Sequence, residues 1–281
     1  MAIPNPIPHQ ASGRAGPWLH FAHANAYPPA AYRALFARLA QRFRLVAIEQ
    51  RPLWPGSRPE ALLSWRELAD DLIALLDQLG LSGVIGAGHS LGAVVTLYAA
   101  VARPELFRAV ALIDPVFLKP AQLARLAELP RPLTAEQMPL VKSAQRRRKR
   151  WASREAAFAR FRSKEVFGRL DDAALWDYVN SITRPDGRRG VALSYPAAWE
   201  ARIYGLPPAD VWELLPRLER PTLAIRAAES DTISREAWAL WQQLQPEATF
   251  VEFAASSHLL PMERPAAVAE AIEAFAAAPH P

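Results

Sequence analysis

The 281-residue chain has no cysteine, which excludes a disulfide framework and any thiolate chemistry. It also lacks an apolar stretch near the ~18 residues a membrane helix needs. The opening residues, MAIPNPIPHQASGRAGP, hold no basic segment followed by an apolar run, so no secretory leader is expected. A cytoplasmic protein is the expectation. No zinc-ligand spacing, RNA-binding aromatic motif, internal repeat or low-complexity linker is present. What remains is an ordinary globular balance, 51% apolar and 22% charged, long enough for one large α/β domain with an insertion. The formal net charge is +5, with a local excess in QRRRKR, residues 145–150. A solvated helix face explains this run without a nucleic-acid partner.

Hydrophobic patterning alternates strand with helix. PWLHFAHAN, residues 17–25, reads as a short strand ending in a loop, RLVAIEQ as a buried strand, GVIGAG and RAVALIDP as further strands, and YRALFARLAQRF and WRELADDLIALLDQLG as helices. Ser64 and Glu67 have capping-box spacing before the second helix, and Gly80 closes it. Between Asp114 and Pro221 the rhythm lapses into helical patterns and proline-rich breaks, with no convincing buried strand. It resumes with TLAIRAAES, SREAWALWQQLQP, ATFVEFAASSH and RPAAVAEAIEAFAAA. The expected fold is α/β: a mostly parallel central sheet flanked by helices, with a helical segment inserted between two of its strands. The core is assigned to residues 1–118 and 220–281, and the inserted segment to 119–219.

Gly88-His89-Ser90-Leu91-Gly92 fits G-x-S-x-G, directly after an apolar strand and opening an apolar helix. Such a turn forces the serine into a strained conformation, and side chains at the two glycines would collide with neighbouring elements. Oγ is then exposed at a helix N-terminus whose N–H groups stabilise an oxyanion. Ser90 is the expected nucleophile. A hydroxyl needs a base, and there are six histidines. His9 and His280 lie near the ends, and His89 should point away from Oγ. His258, past the strand TFVEFAA, is at the C-terminal edge of the sheet, where sites form. The carboxylate that fixes the base is assigned to Asp231 after TLAIRAAES, giving the chain order Ser, Asp, His. Asp114, ending VALIDP, and Glu229 are its rivals.

With these motifs the chain resembles the α/β-hydrolase superfamily, specifically serine hydrolases with a helical cap, from HFAHAN through GHSLG and ESDTIS to SSHLLPMERP. The resemblance implies an oxyanion hole using the N–H of Leu91 and one from the loop after an early strand. That loop usually begins His-Gly, but here it reads His23-Ala24-Asn25-Ala26, so the second donor is Asn25 or Ala26, with Asn25 preferred. His23 is read as ordering the loop. The first two strands of the usual fold have little room before Trp18, so the sheet should be shortened at that edge.

The implied activity is hydrolysis of small to medium apolar carboxylic esters through an acyl-enzyme on Ser90, with no cofactor or metal and a small-molecule substrate. The alternatives are a carbon–carbon hydrolase of aromatic ring-cleavage products, a lactonase, amidase, perhydrolase or acyltransferase, and a ligand-binding receptor without catalysis. The inserted segment carries ten aromatic residues between Trp151 and Trp212. Most are expected to form its own core. Arg154, Arg162 and Lys164 suit a carboxylate, but nothing in the sequence turns them inward.

Overall fold

The structure, a computed structural model, describes residues 3–187 and 190–279, so His280 lies outside it. The chain begins with β1 (His9–Ser12) and β2 (Trp18–Ala22), then α1 (Arg33–Leu39), β3 (Arg44–Ile48) and α2 (Arg66–Gln78). β4 (Val84–His89), α3 (Leu91–Ala102) and β5 (Phe107–Ile113) complete its first half. A long insertion follows: α4 (Pro120–Ala127), α5 (Pro139–Gln145), β6 (Arg150–Trp151), α6 (Arg154–Arg162), α7 (Asp172–Ile182), β7 (Thr183–Pro185), β8 (Val191–Leu193), α8 (Ala197–Tyr204) and α9 (Val211–Leu214). The chain closes with β9 (Thr222–Glu229), α10 (Arg235–Leu244), β10 (Thr249–Ser257), α11 (Leu260–Glu263) and α12 (Pro265–Ala277).

Seven strands form one sheet in the order β1-β3-β2-β4-β5-β9-β10, parallel except for β1, which runs antiparallel on β3. As expected from the short N-terminal stretch, a single described strand precedes β2. Strands β4 and β5 are apolar runs with almost no exposed residue, which a sheet covered on both faces requires. Chain direction reverses after β3: α1 carries the chain outward, and α2 carries it back across β2 to β4. Right-handed crossovers therefore put α1 on one face and α2 and α3 on the other. In agreement, α2 packs on α3, and α1 packs on α12. Helix α2 buries Leu68, Leu72, Leu75 and Leu76, one amphipathic stripe. Helix α3 is apolar all round and is buried from Leu91 to Ala100. Ser64 and Glu67 fold back on the start of α2, where the Glu67 carboxylate accepts from the N–H groups of Leu63 and Ser64.

The crevice between β2 and β4, where the strand order reverses, is where open α/β sheets build sites. Residues of the insertion line the cavity at Ser90, and its rings Trp151, Phe161, Tyr178, Tyr195 and Trp199 belong to the same apolar cluster as the sheet. One expectation fails. The insertion contains a small antiparallel sheet, β6-β8-β7, where no strand was read. Its strands span two or three residues, too few for an alternating pattern to register.

Candidate active site

Ser90 stands between the end of β4 and the start of α3 with φ +56° and ψ −116°, a conformation that L side chains rarely adopt. The glycines explain why the turn is possible. A Cβ on Gly88 would lie 2.2 Å from the carbonyl oxygen of Gly92, and one on Gly92 would lie 2.0 Å from that of Ala22 on β2. Helix, elbow and neighbouring strand are thus pressed together, and Oγ is left facing the crevice.

β10 delivers His258. Its pairing with β9 slips between Phe253 and Ser257, and Ala255 takes φ +51°. Glu263 braces the turn by accepting from both the N–H and the hydroxyl of Ser257. His258 Nε2 lies 2.9 Å from Ser90 Oγ, and Nδ1 lies 2.7 Å from Asp114 Oδ2. A carboxylate only accepts, so Nδ1 carries the proton and Nε2 is free to accept from the serine hydroxyl. Burial pushes the imidazole pKa down, but the hydrogen bond and charge of Asp114 outweigh it and hold the group above the ordinary histidine range.

The carboxylate against His258 is therefore Asp114, not Asp231. Asp114 is fully buried at the end of β5, with φ +43° turning its side chain toward β9. Oδ1 accepts from the Ala227 N–H at 2.8 Å, and Oδ2 also accepts from the Ser230 hydroxyl at 2.7 Å. Thr232 Oγ1 lies 3.3 Å from the same oxygen. Ser230 and Thr232 both turn toward Asp114, and Asp231 between them lines the open cavity and is exposed. Glu229 pairs instead with Arg169 at the surface. β5 and β9 are adjacent and parallel, so either strand end reaches the histidine, and the local turn selects between them.

The loop after β2 faces Ser90 across the cavity. The Ala24 N–H donates to the Tyr32 hydroxyl at 3.1 Å, and the Ala26 backbone lies near the Tyr195 hydroxyl. Among the described residues no acceptor is found for the N–H of Asn25 or of Leu91, and both residues line the cavity with Ser90. The Asn25 side chain is held by the insertion: Oδ1 accepts from Tyr195 at 2.9 Å, and Nδ2 donates to the Glu200 carbonyl at 3.1 Å. His23 orders the loop, with Nδ1 at 2.8 Å from the Ala24 carbonyl.

His89 points away from Oγ, as expected, and has a part that sequence reasoning missed. Its Nε2 donates to the His258 carbonyl at 2.8 Å, so Nδ1 must accept from the Tyr32 hydroxyl at 2.8 Å. Burial holds its pKa well below the ordinary value, and this neutral form suits one donor and one acceptor. A chain of hydrogen bonds thus joins the Ala24 loop to the His258 loop through Tyr32 and His89. No local motif signals it.

The cavity, about 260 Å³, is walled by Met138, Leu140, Val166, Ile203 and Tyr204 of the insertion and by Tyr27, Trp65 and Leu91. The basic run needs correction. Arg147 is not on a solvated helix face: α5 ends at Gln145, and the Arg147 side chain is only 10% exposed, paired to Glu200 at 2.6 Å. Long side chains just past a helix end are free to fold back into the interior. Arg154 and Arg162 instead bond within the insertion, to Thr183 and to the carbonyls of Phe167 and Leu170.

The profile of the alpha/beta hydrolase family matches residues 16–271. The chain belongs to that family. Among curated proteins, this α/β hydrolase is 35% identical over 99 residues to the 2-(acetamidomethylene)succinate hydrolase of Mesorhizobium japonicum, a match covering 35% of this chain and 36% of that protein. It is 28% identical over 207 residues to lipase LipV of Mycobacterium tuberculosis, covering 72% and 71% of the two chains. Among solved structures, the crystal structure of E-2-(acetamidomethylene)succinate hydrolase superposes with a TM-score of 0.80 at 22% identity, over 96% of this chain and 94% of that one. No described helix of this α/β hydrolase is long and apolar enough to cross a membrane.

Proposed function

We propose that this α/β hydrolase cleaves carboxylic esters by acyl transfer. Ser90 is the nucleophile, His258 the general base and acid, and Asp114 the group that fixes the imidazole tautomer. One observation carries the reading: Ser90 Oγ, the His258 ring and the Asp114 carboxylate lie in a hydrogen-bonded line of 2.9 and 2.7 Å at the floor of the cavity. Ser90 attacks the carbonyl carbon as its proton passes to His258 Nε2. The N–H groups of Leu91 and Asn25 receive the oxyanion. The imidazolium, stabilised by Asp114, protonates the leaving group, and water activated by His258 releases the acid. The reading supplies its own acid and base and calls for no cofactor. We assign residues 119–219 as a cap that supplies one wall of the substrate cavity and pins the oxyanion loop through Tyr195.

The comparison with a hydrolase named for 2-(acetamidomethylene)succinate favours a second reading, in which the same serine cleaves a bond other than a simple ester, a carbon–carbon bond of a ring-cleavage product included. Turnover of p-nitrophenyl esters from acetate to long chains separates the two. Hydrolysis by wild type, lost in Ser90→Ala, is expected. Equal inactivity of both proteins on every ester would overturn ester hydrolysis.

A further inference from the structure

Beyond the reacting line, the cavity has a second polar end, formed by Tyr27 and Tyr204. Neither hydroxyl has a hydrogen-bond partner among the described residues. Tyr178 packs behind Tyr27, with ring centroids 5.0 Å apart, and its hydroxyl oxygen accepts from Arg147 Nη2, which leaves the phenolic proton to give. Arg147 pairs through Nη1 with Glu200 at 2.6 Å, while its buried Nε–H has no acceptor. Lys164, two residues before cavity-lining Val166, is half-buried against the Phe161 ring and has no carboxylate partner among the described residues.

The corner is therefore rich in donors and poor in acceptors. Tyr27, Tyr204, Tyr178 and Arg147 each keep a proton without a recipient among the described residues, and Arg147 and Lys164 stand against Glu200, with Asp231 on the Tyr204 side of the cavity. Arg147 Nε is the donor buried without an acceptor, while the Tyr27 and Tyr204 hydroxyls face the cavity, where a group that only accepts can take both their protons. A neutral apolar acyl chain would leave the Tyr27 and Tyr204 hydroxyls unmet.

We propose that this end of the cavity is a carboxylate subsite. The substrate carries, besides the bond that Ser90 attacks, a carboxylate held by the Tyr27 and Tyr204 hydroxyls, with Arg147 polarising the phenols from behind and the unpaired cation of Lys164 offsetting the added charge. Rigid phenols in front of a buried guanidinium bind the anion without exposing an arginine to solvent when the site is empty. Asp231, also on the cavity wall, is exposed and screened by water, and it is the natural rival: it would favour a cationic substrate instead.

The proposal rests on the acyl-transfer reading, and the test keeps the two apart. The mono-p-nitrophenyl esters of succinate, glutarate and adipate are compared with uncharged esters of equal length and with the p-nitrophenyl ester of 5-aminopentanoate. The expected result is a preference of about tenfold or more in kcat/KM for one hemiester over its neutral counterpart. Tyr27→Phe and Tyr204→Phe, which keep ring volume, should each collapse that ratio, mainly through KM. Arg147→Met should do the same if it folds, and the phenylalanine variants decide the matter if it does not. A preference for the neutral or cationic ester, or a ratio intact in both phenylalanine variants, overturns the subsite. If no ester is turned over, the acyl-transfer reading fails, and calorimetric binding of glutarate judges the subsite alone. Binding weakened about tenfold by Tyr27→Phe supports it, and absent or unaltered binding refutes it.

Discussion

Exchanging a single oxygen for an NH₂ group separates the two candidate acids. In Asp114→Asn the amide oxygen can still accept from the Ala227 N–H and the buried pocket keeps its volume, while the Ser230 hydroxyl, its acceptor replaced by NH₂, must turn its proton to Thr232 Oγ1 at 3.3 Å. The same NH₂ group faces His258 Nδ1, which must then accept and send its proton to Nε2. There it points at Ser90 Oγ, and the base is gone. Loss of the tautomer-fixing acid in a serine triad typically lowers kcat by about 10⁴, equivalent to roughly 5.4 kcal/mol of transition-state stabilisation. Asp231→Asn removes an exposed carboxylate with no hydrogen bond to the imidazole, so only a few-fold change is expected. The assay is kcat and kcat/KM on the best p-nitrophenyl ester for wild type and both variants, with circular dichroism to verify folding. The pH profile adds an independent reading. The neutral imidazole is the active base, so kcat/KM rises with pH through the His258 pKa. Burial opposes charging of this group, but Asp114 outweighs burial, so the wild-type limb should sit above the ordinary histidine value of about 6.5. In Asp114→Asn it should move downward in any residual activity. A loss greater than about 10²-fold in Asp231→Asn, with Asp114→Asn near wild type, would refute the assignment.

Tyr32→Phe should cut the link between the two loops, leaving the Ala24 N–H and His89 Nδ1 without partners. Each orphaned group costs about 1–3 kcal/mol. Denaturant unfolding should register that loss, and the kinetics should show a fall in kcat rather than a rise in KM. His20, His23 and His89 are buried on or beside the sheet, and burial lowers their pKa values, to about 3 for His20 and about 4 for His23. The unfolded chain takes up these protons near pH 6.5 and the folded chain does not, so stability falls as pH drops from about 6.5 toward 4, by about 1.4 kcal/mol per pH unit for each such histidine. His258 has the opposite sign: its raised pKa adds stability below about pH 6.5 that fades as pH rises through the folded value. Both ring nitrogens of His20 lack partners, so His20→Leu should raise the urea midpoint at pH 7 and flatten the acid slope by one proton. An unchanged slope would show that His20 is charged or hydrated in the folded protein.

The sequence alone determined the sheet and the elbow, because both are written in local terms. Four buried strands and their helices follow from hydrophobic period, and Ser90 follows from two glycines whose missing Cβ atoms make room for a strand and a helix. The end of the last strand placed His258 in the same way. The small β6-β8-β7 sheet was illegible, since strands of two or three residues leave no period to read. Tertiary structure alone decided the rest. Asp114 and Asp231 end adjacent parallel strands, and both satisfy the spacing rules. Which one meets the imidazole depends on how the turn at Ser230–Thr232 directs its side chains, and that is set by a strand more than a hundred residues away in the chain. Arg147 makes the same point. In a run of basic residues it is indistinguishable from its exposed neighbours, and only the packing of Tyr178 and Glu200 around it makes it a buried charge. Local pattern fixes which residues reach the crevice, and the packing of distant segments fixes which of them touch.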